Sequence, residues 1–332
     1  MAYCLYAACC SRQGGIAVLD GTEEGTLSLR QMATADRPMY MAMDGGKLLT
    51  LLLAPEGCGG DSALTAFPQE KDGRLRPHGE LRSTGGVEAC HLAARGGRVW
   101  CANYGTGSAA LLEGETRRLA VFEGQGPHRD RQEAAHIHQV AFTPDGEFLA
   151  AVDLGSDSLL LDAELRLKNR TALPAGSGPR HLAFSPDGRF AWCVNELAST
   201  VTALAYEPGR FHVLQTVPAL PAEMRPAENY PAAIRVSRDG RRVFVSNRGA
   251  DVITVFEAEG EALRLTQAVP CGGAWPRDIL LTADERFLLA ANERSHAVTA
   301  LPLRAGREAR TIGRRFDFLQ PQIGRASCRE RV

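Results

Sequence analysis

Short apolar runs alternate with turn-forming residues along the whole chain, and no window sustains the apolar period of an amphipathic helix. In "RHLAFSPDGRFAWCVNELASTVTAL", which begins at Arg180, residues 182–184 and 190–194 read as strands. Pro186-Asp187-Gly188 between them is turn chemistry, because proline presets φ and glycine accepts a positive φ. Two antiparallel strands about a tight turn bring their far ends together, which places Arg180 and Glu196 at one edge.

The pattern recurs. "HQVAFTPDGEFLAAVDLGSDSLLL" from His138, the Arg180 stretch, "AAIRVSRDGRRVFVSNRGADVITVF" from Ala232 and "RDILLTADERFLLAANERSHAVTAL" from Arg277 align without a gap. Their turn glycines are Gly146, Gly188 and Gly240, with Glu285 in the last copy. Looser copies begin at Cys90 and Tyr40. The markers Asn103, Asp153, Asn195, Asn247 and Asn292 are 50, 42, 52 and 45 positions apart, a period that fits four short strands and their turns. Six hairpin copies and the fragment "YCLYAACCSRQGGIAVLD" predict an all-β, seven-bladed β-propeller with four-stranded antiparallel blades. An α/β alternative lacks helical periodicity and conflicts with 34 Gly and 18 Pro at strand intervals. The propeller is expected to be a single domain over residues 1–322, its ring closed by an innermost strand from the C-terminus. The basic, non-alternating "IGRASCRERV" at 323–332 reads instead as a non-native or disordered tail, leaving one blade a strand short.

In every blade, residues just before the first strand and just after the second share one face of the disc. The position eight before the turn glycine reads His138, Arg180, Ala232 and Arg277; the position eight after it reads Leu154, Glu196, Arg248 and Glu293. The Asp/Asn column beside it is uniform, as expected for side chains that brace their own turns. The two varying columns are where a site is encoded on a repeated scaffold. His136 and His138, two apart on an extended segment, are expected to point the same way, and His181, Asp153 or Glu196 are conceivable further metal ligands. No spacing fixes a third ligand, so the expectation is no metal but an acid/base and anion-binding cluster, with planar guanidinium forks for carboxylate or phosphate.

Charge adds only exclusions: 38 basic against 39 acidic residues give no electrostatic reason to expect nucleic acid or an anionic membrane surface. No apolar run is long enough to span a bilayer, and the start lacks a convincing signal peptide. Nine cysteines without metal or CxxC spacing read as thiols of a reducing cytoplasm. Oligomeric state is not legible in the sequence.

The segments "HIHQVAFTPDG", "GSGPRHLAFSPDGRF", "VNELASTV", "SNRGAD" and "WPRDILLTADERFLLAANE" together closely resemble the seven-bladed propeller lactonases, a family that includes bacterial cytoplasmic 6-phosphogluconolactonase and fungal carboxy-muconate cyclase. The resemblance runs from "YAACCSRQGGIAVLD" to about residue 319. It implies a lactonase without a cofactor, acting on a small anionic lactone. The implied substrate is 6-phosphogluconolactone of the pentose phosphate pathway; the alternatives are another carboxylated lactone or a non-catalytic binding propeller. The family's His-x-His, Gly-Pro-Arg-His and Val-Asn-Glu segments carry over to His138 (or His136), Arg180 and Glu196 as catalytic residues. His136, His181, Arg248, Arg277 and Asn195 are the substrate-binding candidates. The expected roles are base for Glu196, oxyanion and substrate-anion binding for Arg180, and proton donor for His138 (or His136). No GxSxG nucleophile elbow is present, which argues against a covalent acyl-enzyme.

Overall fold

The computed structural model describes residues 3–12, 14–162, 165–224, 226, 228–303, 314–317 and 323–330. It consists of seven four-stranded antiparallel sheets, and no α-helix occurs among the described residues. The sheets are the blades of a seven-bladed β-propeller. The innermost strands of blades 2 to 7 are Pro38–Asp44, Ala89–Arg95, Ile137–Phe142, Pro179–Phe184, Tyr230–Val236 and Pro276–Leu281, each beside the next around the ring.

Blade 1 holds Tyr3–Cys9, Gly15–Gly21 and Leu27–Thr34. Its innermost strand is Ile323–Glu330, which runs antiparallel to Tyr3–Cys9 and closes the ring. The sequence led us to expect a tail outside the fold there. A ladder of main-chain hydrogen bonds needs no side-chain alternation, which is why the pattern of 323–330 did not announce a strand. Positions 331 and 332 lie outside the described residues.

Alternation along each strand sends apolar side chains to both blade faces, and the core lies between blades. Seven apolar clusters each bridge two neighbours; Val152 and Leu159 of blade 4, for example, pack with Leu182, Cys193, Leu204 and Phe211 of blade 5. Each fully buried Leu or Phe contributes about 1.5–3 kcal/mol relative to exposure. Outer strands such as Thr116–Val121 are mostly exposed.

The hairpin turn has a shared internal brace. Thr143, Ser185, Ser237 and Thr282 donate their hydroxyls to Asp145, Asp187, Asp239 and Asp284, two residues on, at 2.5–2.7 Å. The turn requires a left-handed residue: Gly146, Gly188 and Gly240 have φ of 72–74°, and Glu285 takes φ 53° in the fourth copy.

One irregularity positions the site. The pairing of first and second strands slips at the same point in blades 2 to 7, between Pro38 and Tyr40, Ala89 and His91, Ile137 and Gln139, Pro179 and His181, Pro231 and Ile234, and Pro276 and Asp278. These are β-bulges, which take a residue out of the ladder and re-aim its side chain. The bulged residues are Met39, Cys90, His138, Arg180, Ala232 with Ala233, and Arg277.

Candidate active site

Four of those bulged side chains, Met39, Cys90, His138 and Arg277, line a cavity of about 560 Å³. From the ends of the second strands come Leu53, Tyr104 and Glu196, each just past its strand, and Arg248, the last residue of its own. From the start of the inner strands come Glu88, Tyr230 and Trp275. Arg131, Glu228 and Arg294 complete the lining. The two varying columns of the sequence repeat therefore meet in one place.

The centre of the cluster is Glu196. Its Oε2 accepts from Arg248 at 2.6 Å and lies 3.0 Å from Nε of Arg180, while Oε1 accepts from Arg131 at 2.7 Å. The Arg180 Nε–H does not aim at the carboxylate, so that contact is an ion pair without a hydrogen bond. Another Arg180 nitrogen donates to the Ala232 carbonyl at 2.5 Å. Side-chain exposures of 3%, 5% and 7% for Arg180, Glu196 and Arg248 mean that all three are largely shielded from solvent; Arg131, at 40%, faces outward. Arg277 donates to Glu293 at 3.0 Å.

Burial alone would push the Glu196 carboxyl up, but the Arg248 and Arg180 guanidiniums outweigh it and hold the group well below the usual carboxylate range. Burial, reinforced by Arg180, pushes His138 and His181 well below the usual imidazole range, so both rings are neutral at pH 7. Burial pushes the Cys90 thiol up to about 12, so it stays protonated beside His138.

The structure brings His138, Arg180, Glu196, Arg248 and Arg277 together; His181 packs behind them against Arg180 and His138, and His136 and Asn195 turn away from the cavity. His136 stacks flat on Tyr104 with ring centroids 4.5 Å apart and is held by the Tyr104 carbonyl and Glu133. His138 meets the same Tyr104 ring edge-on at 5.6 Å, because the bulge breaks the alternation that would have paired the two histidines. Only His138 reaches the cavity wall. His181 is buried between the His91 and His138 rings, 5.4 and 5.2 Å away, and does not line the cavity. Asn195 is fully buried and donates to Thr200 and Thr202 at 2.9 Å, bracing its own blade. Among the described residues no group of three His, Cys, Asp or Glu side chains is arranged to hold a metal ion.

Tyr104, Trp275, Arg131 and Arg294 were missed in the sequence. Tyr104 occupies the Glu196 column of a copy one residue short, and a full alignment of that copy reveals it. Arg131 lies in the connection between blades 3 and 4, which carries no periodic signal.

The inner-strand bulges thus bring His138, Arg180 and Arg277 against Glu196 and Arg248 from the ends of the second strands, around one polar cavity. The chain belongs to the lactonase family of seven-bladed β-propellers, whose family model, "Lactonase, 7-bladed beta-propeller", matches residues 4–308. It is thus a hydrolase acting on a cyclic carboxylic ester. It is 35% identical over 291 residues to a 6-phosphogluconolactonase of Bacillus subtilis, covering 82% of each chain. Among solved structures it resembles a putative 6-phosphogluconolactonase from Bacteroides fragilis, with a TM-score of 0.87, 25% identity and coverage of 99% and 98%. It also resembles a periplasmic gluconolactonase from Pseudomonas aeruginosa, with a TM-score of 0.85, 27% identity and coverage of 99% of both chains. No helix among the described residues is long and apolar enough to cross a membrane.

Proposed function

We propose that the protein hydrolyses 6-phosphoglucono-δ-lactone to 6-phosphogluconate, as a cytoplasmic step of the pentose phosphate pathway. The observation that carries the reading is a neutral His138 on the wall of a cavity whose guanidiniums Arg131, Arg248 and Arg277 are locked in place by Glu196 and Glu293. The similarity to the Bacillus enzyme supports the substrate, and the unpaired state of the eight cysteines whose side chains are described supports a reducing compartment. A volume of about 560 Å³ suits a sugar phosphate.

The electrostatics change the expected roles. Both oxygens of the Glu196 carboxylate are taken by arginines, so Glu196 is assigned to hold Arg131 and Arg248 in position. His138, neutral, takes the proton from a water as that water attacks the lactone carbonyl carbon. Arg248 and Arg131 stabilise the developing oxyanion, with Arg180 holding Glu196 from behind. When the bond from carbonyl carbon to ring oxygen breaks, the His138 imidazolium returns the proton to that oxygen, leaving a hydroxyl and a carboxylic acid that releases its remaining proton to solvent to become the carboxylate.

The test is lactone opening by the purified protein, followed by acid release, with 6-phosphoglucono-δ-lactone against a panel of unphosphorylated lactones. The reading expects the phosphorylated substrate to have the highest kcat/KM. Preference for glucono-δ-lactone would favour the second reading, a gluconolactonase, to which the Pseudomonas structure points.

A further inference from the structure

The cavity guanidiniums are unequal in what they have left to give. Arg248 and Arg131 are paired with Glu196, and Arg277 with Glu293. Arg294 has no carboxylate partner among the described residues; it lies instead on the Trp275 ring, its guanidinium carbon 3.3 Å from the ring centroid. It is exposed yet lines the cavity, which places it at the mouth.

Blade 7 is unusual at this position. The second residue after the Asp/Asn marker column is Gly105, Gly155, Leu197 and Gly249 in blades 3 to 6, and Arg294 in blade 7. Space explains the glycines: a Cβ at Gly155 would lie 1.8 Å from the Ala134 carbonyl, and one at Gly249 2.3 Å from that of Glu228. In blade 7 the backbone admits a long cation, and the aromatic platform beneath it is held in an unusual conformation. Trp275 has φ 65°, uncommon for a bulky residue. It is fixed by its N–H to Asp251 at 2.7 Å, its carbonyl to the Glu293 N–H at 2.9 Å, and the Arg294 N–H to the Ala274 carbonyl at 3.1 Å. Glu88 on the blade 3 side and Glu228 ahead of blade 6 repel an anion from their walls, leaving the blade 7 wall for it.

We infer that Arg294, laid on Trp275 at the mouth of the cavity, holds the phosphate of the lactone and sets a preference for phosphorylated over unphosphorylated substrates. This rests on the reading of the substrate given above. The stack orients a planar fork whose donors are unspent, the geometry that recognises phosphate in two-point contacts.

The experiment compares wild type, Arg294→Ala and Trp275→Leu on 6-phosphoglucono-δ-lactone and on glucono-δ-lactone. A charge-assisted contact of this kind corresponds to a loss of about 10- to 100-fold in kcat/KM for the phosphorylated lactone in Arg294→Ala, mostly through KM. The unphosphorylated lactone should lose at most a few-fold, and Trp275→Leu should fall between. A ratio of the two kcat/KM values within twofold of wild type overturns the assignment. Calorimetric titration with 6-phosphogluconate reads the same contact without turnover. A wild type that opens neither lactone sinks the functional reading, while a tenfold weaker 6-phosphogluconate affinity in Arg294→Ala still upholds this one. Equal affinities in wild type and variant, or no binding to wild type, overturn it.

Discussion

Glu196→Gln separates a base from an organiser. The substitution keeps the shape of the side chain and removes the charge that Arg180, Arg248 and Arg131 share. Arg180 and Arg248 are then left buried without a counter-charge, and breaking a buried pair by removing one partner costs roughly 3–5 kcal/mol. With an unfolding entropy of about 2.1 cal/mol/K per residue, a chain of this length should lose roughly 4–8 °C in Tm. Adding Arg248→Gln should return part of that loss, because it removes one of the stranded charges, so the double variant should be more stable than the two single effects added together. Differential scanning calorimetry of the four proteins, with lactone turnover measured on each, is the assay. If Glu196 acts as an organiser, turnover and Tm fall together. A Glu196→Gln protein that melts within about 1 °C of wild type yet has lost turnover refutes this reasoning and returns the carboxylate to the role of base.

Four further outcomes are expected. His138→Gln should lower kcat by about 100- to 10,000-fold, the usual contribution of a positioned acid/base group; retained turnover removes it from the mechanism. Because the His138 pKa is lowered, the acid limb of kcat/KM against pH should lie below 6.5, and a limb at or above that value contradicts its burial. The same rings affect stability: unfolded His138 and His181 bind protons below about pH 6.5 while the folded rings do not, so stability should fall as pH drops through that range, by up to about 1.4 kcal/mol per pH unit for each ring. Urea midpoints at pH 7.5, 6.5 and 5.5 measure this, and a flat series contradicts it. Finally, we propose that 323–332 is a non-native tail standing in for a better sealing strand. Replacing 323–330 with an alternating valine/threonine strand should then raise Tm, and an unchanged or lower Tm removes the proposal.

What the sequence made legible follows from how the repeat is written. The turn glycine and its Asp/Asn marker lie on the same short hairpin, so a gapless alignment assigned His138, Arg180 and Arg277 to one column and Glu196 and Arg248 to the next. Their convergence follows from closing the ring. The bulge was not legible, because a one-residue slip in pairing leaves no mark in a hydrophobic pattern, and it is the bulge that separates His138 from His136. Asn195 was overextended from a neighbouring column whose side chains brace blades. Arg131 depends on a long connection that carries no repeat, and the Arg294–Trp275 stack on side chains found in blade 7, although the left-handed position before the inner strand recurs at Arg37, Glu88 and Gly178. The role of Glu196 depended on how many arginines surround it, a count only the three-dimensional packing supplies.

The recurrent slip in the inner strands has a wider consequence. Each hands its occupant across a seam, Cys90 to the His138 carbonyl and Arg180 to the Ala232 carbonyl, so exchanging one is felt by the neighbouring sheet. Ala232 fills its socket with the shortest side chain of the set and is fully buried, so the guanidinium of Arg180 that leans on its carbonyl is what a longer side chain there would have to displace.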